Sequence, residues 1–273
     1  MASSEPVPAC QLPPPASGAG RDPWHGLARF TPARVALGRA GGSVHSGTLL
    51  DFRLAHARAR DAVLMDFHAE RVESGIARTG LAAVRLATAA TDRRTFLLRP
   101  DLGRKLSDAS HAALAGHRSG WGPRDLAIIV SDGLSALAAE RQAVPTLQYL
   151  VPRLEDAGWS LFPIFVAPFA RVKLQDEIGG LLGARHALML LGERPGLGVP
   201  DSLGAYFTFQ PRADRTDADR NCISNIRPEG LPPAAAAGKL AQLLIESARL
   251  GLSGIALKDF TSLPPTAASA ALE

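Results

Sequence analysis

The chain has few of the residues that cross-link or metallate a protein. Only two cysteines, Cys10 and Cys222, occur in 273 residues, so a disulfide framework is excluded and a reducing cytoplasm is the predicted location. The seven histidines show neither H-x-x-x-H nor H-E-x-x-H spacing, and we therefore predict no metal site. The formal net charge of +4 comes without any block of Lys or Arg, which argues against nucleic acid as a partner.

Long apolar runs and export signals are also missing. Hydrophobic residues make up 46% of the chain, yet no uninterrupted run reaches membrane-spanning length, and we expect no membrane partner. The first residues carry Glu5 and scattered prolines, where a secretory signal would need a basic start and an apolar core. This composition and length are typical of a globular protein with one large domain or two modest ones.

The first part of the chain divides into a leader and a helical segment. Residues 1–30 are rich in Pro and Ala without periodicity, which predicts a disordered leader. Residues 31–120 predict a smaller, mainly helical N-terminal domain. Its first helix is expected at Thr31, which can cap a helix with proline at the first helical position, and a longer helix is expected from Ser46. Two β-favouring runs, 83–88 and 95–98, suggest a hairpin in this domain.

Residues 121–273 show strands and helices in alternation. The continuous apolar run 126–130 is typical of a strand that is buried on both faces. Further strands are predicted over 160–166 and 187–191. Helices are predicted from after residues 131–133 to about 157, over 173–182 and over about 234–250. This pattern predicts an α/β fold, a Rossmann-like parallel sheet covered by helices, with ligands bound at the carboxyl ends of the strands.

The glycine loop after the strand predicted over 187–191 raises the question of whether it binds a nucleotide. A dinucleotide fingerprint requires G-x-G-x-x-G to open a helix directly after the first strand. Here Gly196 and Gly198 lack the third glycine, Pro200 interrupts the pattern, and residues 202–209 look like a strand. A nucleotide-dependent oxidoreductase is therefore kept only as an alternative.

Two further residues near strand ends have both a functional and a structural interpretation. Cys222 has basic and polar neighbours that could lower its thiol pKa, or it is a small side chain in a turn. Glu193 either contacts a ligand or only pairs with Arg194 or another surface cation. The sequence shows no recognisable set of residues for making or breaking covalent bonds. The polar loops at the strand ends suit a large ligand that is held by many dispersed contacts.

Six stretches, in order along the chain from about residue 31 to residue 260, resemble the ethanolamine ammonia-lyase light chain (small subunit) family, which depends on adenosylcobalamin. The stretches are "ARVALGRAG" (33–41), "RPDLGRKL" (99–106), "SDGLSA" (131–136), "ARVKLQDEIGGLLGA" (170–184), "LGERPGLG" (191–198) and "DRNCISNIRPEGL" (219–231). Six ordered matches are more specific than any single glycine motif.

The resemblance implies a subunit of a hetero-oligomeric lyase. Such a chain pairs with a large TIM-barrel subunit, and adenosylcobalamin lies between the two. The family converts ethanolamine to acetaldehyde and ammonia by a radical route in which the cofactor carries the chemistry. Because the substrate site belongs to the large subunit in this family, we expect no catalytic residue in this chain. A non-catalytic assembly module is the remaining alternative.

The resemblance also implies three cofactor contacts, Val172, Glu193 and Cys222, each at the matching position of a family motif. A carboxylate at Glu193 can accept hydrogen bonds from the primary amides of the corrin rim. Val172 offers apolar contact, and Cys222 is small enough for a close approach. The stretch 66–71 matches an Asp-x-His-x-x-Gly cobalt-ligand motif only in part, so the cofactor is expected base-on. The leader lacks the amphipathic helix of relatives found in bacterial microcompartments, which leaves encapsulation open.

Overall fold

The computed structural model describes residues 22, 24–31, 33–39 and 42–258. The chain divides into two compact units, Met1–Ala57 and Arg58–Glu273, and the boundary predicted near residue 120 falls inside the second. The predicted leader lies mostly outside the described residues, and its described end contains a short 3-10 helix, His25–Arg29. The domain boundaries drawn from the sequence remain predictions.

The helix predicted at Thr31 is wrong. Residues 33–39 form no helix, and the Thr31 hydroxyl accepts a hydrogen bond from the Ala33 N–H at 3.1 Å in a local turn. Ala36 and Gly38 have φ values of 52° and 71°, which lie in the left-handed region and interrupt a right-handed helix. The longer helix predicted from Ser46 is present.

Seven α-helices and six strands make up the regular structure of the described residues. The helices are α1 (Ser46–Leu64), α2 (Ala69–Ala77), α3 (Arg93–Leu98), α4 (Asp108–Trp121), α5 (Ala136–Asp156), α6 (Leu174–Leu182) and α7 (Pro233–Leu250). The strands are β1 (Ala83–Arg85), β2 (Leu126–Ser131), β3 (Ile164–Val166), β4 (His186–Gly192), β5 (Leu203–Phe209) and β6 (Arg220–Ile226). No helix among the described residues is long and apolar enough to cross a membrane.

The strands form one mixed sheet in the order β1-β3-β2-β4-β5-β6. The first four strands in that order are parallel, as predicted for β2, β3 and β4, whereas β5 and β6 run antiparallel to their neighbours. The α/β class is confirmed, but the sheet is not uniformly parallel. The reason is the connection after β4: residues 193–202 contain no helix, and a parallel strand would need a longer crossover.

Alternate residues of β2 serve two separate cores, which confirms that this strand is buried on both faces. Leu126, Ile128 and Val130 belong to one cluster with buried residues of α2, α5 and α7. Ala127 and Ile129 belong to a second cluster with buried residues of α4 and α6. Side chains of a strand alternate between faces, so the sheet lies between two layers of helices.

The hairpin predicted from runs 83–88 and 95–98 is wrong. The first run supplies β1, which pairs in parallel with β3, and the second run lies in α3. Asp92 caps that helix, since its carboxylate accepts hydrogen bonds from the N–H and the hydroxyl of Thr95 at 2.8 and 2.6 Å. Such a cap favours a helix over the weak β preference of the Thr-Phe-Leu-Leu sequence that follows. The strand predicted over 160–166 is shortened to β3, because Pro163 has no N–H for a ladder.

Candidate functional site

The ends of β2, β3 and β4 meet around Asp132, as the sequence predicted for parallel strands. The Asp132 carboxylate accepts a hydrogen bond from the Phe169 N–H at 2.7 Å, and the Ser131 hydroxyl accepts one from the Ala170 N–H at 3.0 Å. The Leu134 N–H donates to the Gly192 carbonyl at 2.9 Å. The three loops are thus joined to one another by buried hydrogen bonds.

A buried ion pair with Arg93 supports this junction. The Arg93 guanidinium donates to the Asp132 carboxylate at 2.8 Å and to the Gly133 carbonyl at 2.6 Å. Burial raises the pKa of Asp132, and the charge of Arg93 together with the hydrogen bond from Phe169 opposes that rise. The pair holds the loops together, although Nη2 of Arg93 is buried without a hydrogen-bond partner among the described residues. Arg93 carries no signal in the sequence, because nothing in its local pattern links it to a strand end 39 residues further along the chain.

Beside this junction lies a cavity of about 670 Å³. It brings together two of the three predicted site residues, Val172 from the loop after β3 and Cys222 from β6. Its other lining residues are mostly basic: Arg104, Arg171, Lys173, Tyr206, Arg215, Thr216, Asp217 and Arg220. Its wall combines an apolar side chain, a thiol, a phenol and several positive charges.

Cys222 and Tyr206 face each other across the antiparallel pair of β5 and β6. The two side chains interact, since each affects the pKa of the other. Desolvation at the cavity wall raises the pKa of that thiol, and the nearby charge of Glu193 raises it further. Cys222 is therefore a protonated thiol near neutral pH, which argues against an activated nucleophile.

Glu193, the third predicted residue, does not line the cavity but lies close to Tyr206, since both side chains approach Gly204. Burial raises the pKa of Tyr206, with Cys222 and the negative charge of Glu193 acting in the same direction. One Glu193 oxygen, Oε2, accepts hydrogen bonds from the Ser202 hydroxyl and, at 3.4 Å, from the Asn225 N–H. The other oxygen, Oε1, accepts none from the described residues, and no described cation pairs with this carboxylate.

Gly204 makes room for this arrangement. A Cβ atom at Gly204 would lie 2.9 Å from Glu193 Oε1 and 2.8 Å from Tyr206 Cε2. Any larger residue would therefore push one of these side chains away. Since Gly204 lies on β5, its role became visible only through the pairing of β4 with β5.

A second buried ion pair fixes the floor of the cavity. Arg220, at the start of β6, donates two hydrogen bonds of 2.8 Å to Asp176 on α6. The two side chains are 3% and 1% exposed, so the pair is almost completely removed from water. It ties β6, and with it Cys222, to the helix that follows Val172.

The glycine loop makes a turn and not a nucleotide cradle. The Gly196 N–H donates to the Val199 carbonyl at 2.9 Å, and the loop leads into β5, as the strand-like run after it predicted. A phosphate cradle of the dinucleotide type needs a helix N-terminus at this point. The loop therefore offers no support for the oxidoreductase alternative.

The partial cobalt-ligand motif also has a structural role. His68 precedes α2 and lies 3.0 Å from the Glu140 carboxylate through Nδ1, while its N–H donates to the same oxygen at 2.8 Å. Among the residues that the structure describes, no group of three His, Cys, Asp or Glu side chains could hold a metal ion.

Comparisons with known proteins give one consistent picture. Residues 21–258 match the family model described as ethanolamine ammonia-lyase light chain (EutC). A protein of Azotobacter vinelandii named ethanolamine ammonia-lyase small subunit is 54% identical over 244 residues, which cover 89% of this chain and 90% of the relative. Proteins of the same name from Pseudomonas fluorescens SBW25 and Pseudomonas syringae DC3000 are 50% and 47% identical, over 87% and 90% of this chain and 86% of each relative.

Proposed function

This chain belongs to the ethanolamine ammonia-lyase light chain family, and on that premise we propose that it is the small subunit of an ethanolamine ammonia-lyase that binds adenosylcobalamin against a large subunit. The assembly would convert ethanolamine to acetaldehyde and ammonia, with ethanolamine bound on the large subunit. When bound, adenosylcobalamin supplies radical chemistry that protein side chains lack. This chain would position the cofactor, and we assign it no catalytic residue.

The observation that carries the proposal is the meeting of Val172 and Cys222 in one cavity, with Glu193 close to Tyr206, another residue of the cavity wall. A corrin ring presents apolar faces and a rim of primary amides. The cavity has matching chemistry, because Val172 is apolar and Glu193 Oε1 accepts no hydrogen bond from the described residues. Cobalamin is larger than a cavity of about 670 Å³ can enclose, which supports a shared site covered by a partner.

The described residues also support base-on binding. No histidine lines the cavity, and Cys222 is a protonated thiol whose raised pKa disfavours metal ligation. We propose that cobalt keeps the dimethylbenzimidazole of its own cofactor as lower ligand. The role of Cys222 would then be steric: its small side chain lets the cofactor approach β6.

Reconstitution tests the proposed activity. The purified chain, mixed with its large subunit and adenosylcobalamin, should produce acetaldehyde only when ethanolamine is present. Omitting this chain should abolish turnover. A folded complex that binds adenosylcobalamin but does not turn over ethanolamine would refute the proposed reaction.

Cofactor affinity tests the proposed contacts and the alternative of an assembly module. Glu193→Ala removes a charge-assisted acceptor, which is worth roughly 1.5–3 kcal/mol, so adenosylcobalamin should bind the complex about 10- to 100-fold more weakly. Val172→Ala should have a smaller effect. Leu197→Ala, in the same loop but exposed, is the matched control. Equal affinity for all variants in an intact complex would favour the assembly module.

We propose residence in the cytoplasm, where the two cysteines would stay reduced. Encapsulation in a bacterial microcompartment remains open. Co-sedimentation of the assembled enzyme with purified compartments would decide between free and encapsulated enzyme.

A further inference from the structure

The cavity contains more positive charge than the proposed cofactor contacts use. Three of its cations are engaged elsewhere. Arg220 is held by Asp176, Arg215 donates to the Phe209 carbonyl at 3.0 Å and pairs with Asp219, and Lys173 bonds the Ala213 carbonyl at 2.9 Å. These three side chains stabilise the fold around the cavity, which leaves Arg104 and Arg171 to be explained.

Arg104 and Arg171 retain unused donors. Arg104 is exposed, and its side chain has no hydrogen bond or ion pair with the described residues. Arg171 stacks on Phe96, with its guanidinium carbon 4.1 Å from the ring centroid. Its guanidinium donates one hydrogen bond within the described residues, to the Phe96 carbonyl at 3.3 Å. Its Nε–H is buried and has no partner within the described part of the chain. An unpaired buried donor costs free energy, so this geometry favours a further acceptor.

The backbone holds the two arginines together. The Arg171 N–H donates to the Gly103 carbonyl at 2.7 Å, directly before Arg104. A Cβ at Gly103 would lie 2.7 Å from the Phe169 carbonyl oxygen, so glycine is required for this close approach. The motif "RPDLGRKL" thus places its second arginine beside the loop that carries Val172.

The charges around Arg171 repel one another. Burial lowers the pKa of Arg171, and the positive charges of Arg93, Arg104 and Arg194 lower it further, with only Asp132 opposing them. Such a cluster is stabilised by an anion. Two guanidinium groups suit an oxyanion of phosphate type, because their forked donors match its oxygens.

We propose that Arg104 and Arg171 bind a phosphate-type oxyanion at the edge of the cavity, and that in the assembled enzyme this anion is the phosphodiester of the nucleotide loop of adenosylcobalamin. The assignment to the cofactor rests on the proposed function. Val172, the residue after Arg171, would contact the corrin, so one loop would hold both ends of the ligand.

Two corrinoids test this inference in the complex with the large subunit. Adenosylcobalamin carries the nucleotide loop with its phosphodiester, and adenosylcobinamide lacks it. Arg104→Gln and Arg171→Gln should each weaken adenosylcobalamin binding about 10-fold or more and leave adenosylcobinamide binding unchanged. Arg249→Gln removes an equal charge from an exposed pair with Glu246 and should change neither affinity. Because Arg104 is exposed and unpaired among the described residues, Arg104→Gln should fold normally.

The possible outcomes separate this inference from the proposed function. Equal losses for both corrinoids, or an equal effect of the control variant, would overturn the anion site and leave the proposed function standing. A wild-type complex that binds neither corrinoid would overturn both. Inorganic phosphate should weaken cobalamin binding to wild type more than chloride of equal ionic strength does, and this difference should vanish in Arg104→Gln. Phosphate binding that depends on Arg104, combined with unchanged cobalamin binding in the variants, would assign the site to free phosphate and overturn the cofactor assignment.

Discussion

The buried pair of Asp176 and Arg220 allows a quantitative test of how the cavity is held. Asp176→Asn keeps the shape of the side chain but removes its charge. Arg220, which is 3% exposed, then keeps one amide oxygen, the Thr208 hydroxyl at 3.3 Å and the carboxylate of Asp217, which is 99% exposed. Removing one partner of a buried ion pair costs about 3–5 kcal/mol. We expect a loss near 3 kcal/mol, because the amide oxygen still accepts one hydrogen bond.

Unfolding of the full chain by urea, followed by circular dichroism, measures this loss. For a chain of this size 3 kcal/mol corresponds to a decrease in Tm of about 6–12 °C. The matched control is Asp214→Asn, which breaks an Arg–Asp contact of 2.7 Å with Arg212 whose side chains are 54% and 71% exposed. Such a surface pair is worth about 0–1 kcal/mol. A loss below about 1 kcal/mol for Asp176→Asn, or equal losses for both variants, would refute the reasoning from burial.

Three further predictions concern pH and close contacts. Burial and the charge of Arg185 lower the pKa of His186 to about 4 from 6.5. Between pH 6.5 and 4 the unfolded chain therefore binds more protons than the folded chain. The contribution of His186 to the free energy of unfolding is fully present above pH 6.5 and should fall by up to about 3 kcal/mol as the pH drops to 4. His186→Phe should flatten this pH dependence, and an unchanged slope would contradict the prediction. Gly192→Ala would place a Cβ 2.1 Å from the Ser135 carbonyl oxygen and should lower Tm strongly. Gly198→Ala, with open space around the new Cβ, should leave Tm unchanged. Equal Tm values for the two variants would count against the close packing of the loops around Asp132. Gly204→Ala should weaken adenosylcobalamin binding with little change in Tm, and undiminished affinity would separate Gly204 from the site.

The sequence predicted the parts of the fold that depend on local pattern. The apolar run of β2, the helical periodicity of α6 and α7, and the strand after the glycine loop all appear close to their predicted bounds. The errors occurred where local patterns were ambiguous. The run 95–98 has β preference, but the Asp92 cap makes it helical, and the run at 83–85 became a strand only by pairing with β3.

The candidate site was likewise predictable from the sequence only in part. The family motifs identified Val172, Glu193 and Cys222, and the structure brings Val172 and Cys222 into one cavity, with Glu193 close to Tyr206. Tyr206, Gly204 and Arg93 gave no signal in the sequence, because their roles depend on strand pairing and on contacts between distant segments. Whether the three motif residues bind the cofactor remains a prediction that the affinity measurements address.

The sequence by itself determined the α/β class, the family and the residues that the family motifs carry, because apolar periodicity and ordered motifs are written along the chain. The tertiary structure alone decided that β5 and β6 run antiparallel, that Asp176 neutralises Arg220, and that Arg104 lies beside Arg171. The physical reason is that these features arise from pairing and burial between segments far apart in the chain. Charges that look like ordinary surface residues in the sequence become either buried ion pairs or unpaired donors only when the sheet and its loops bring them together.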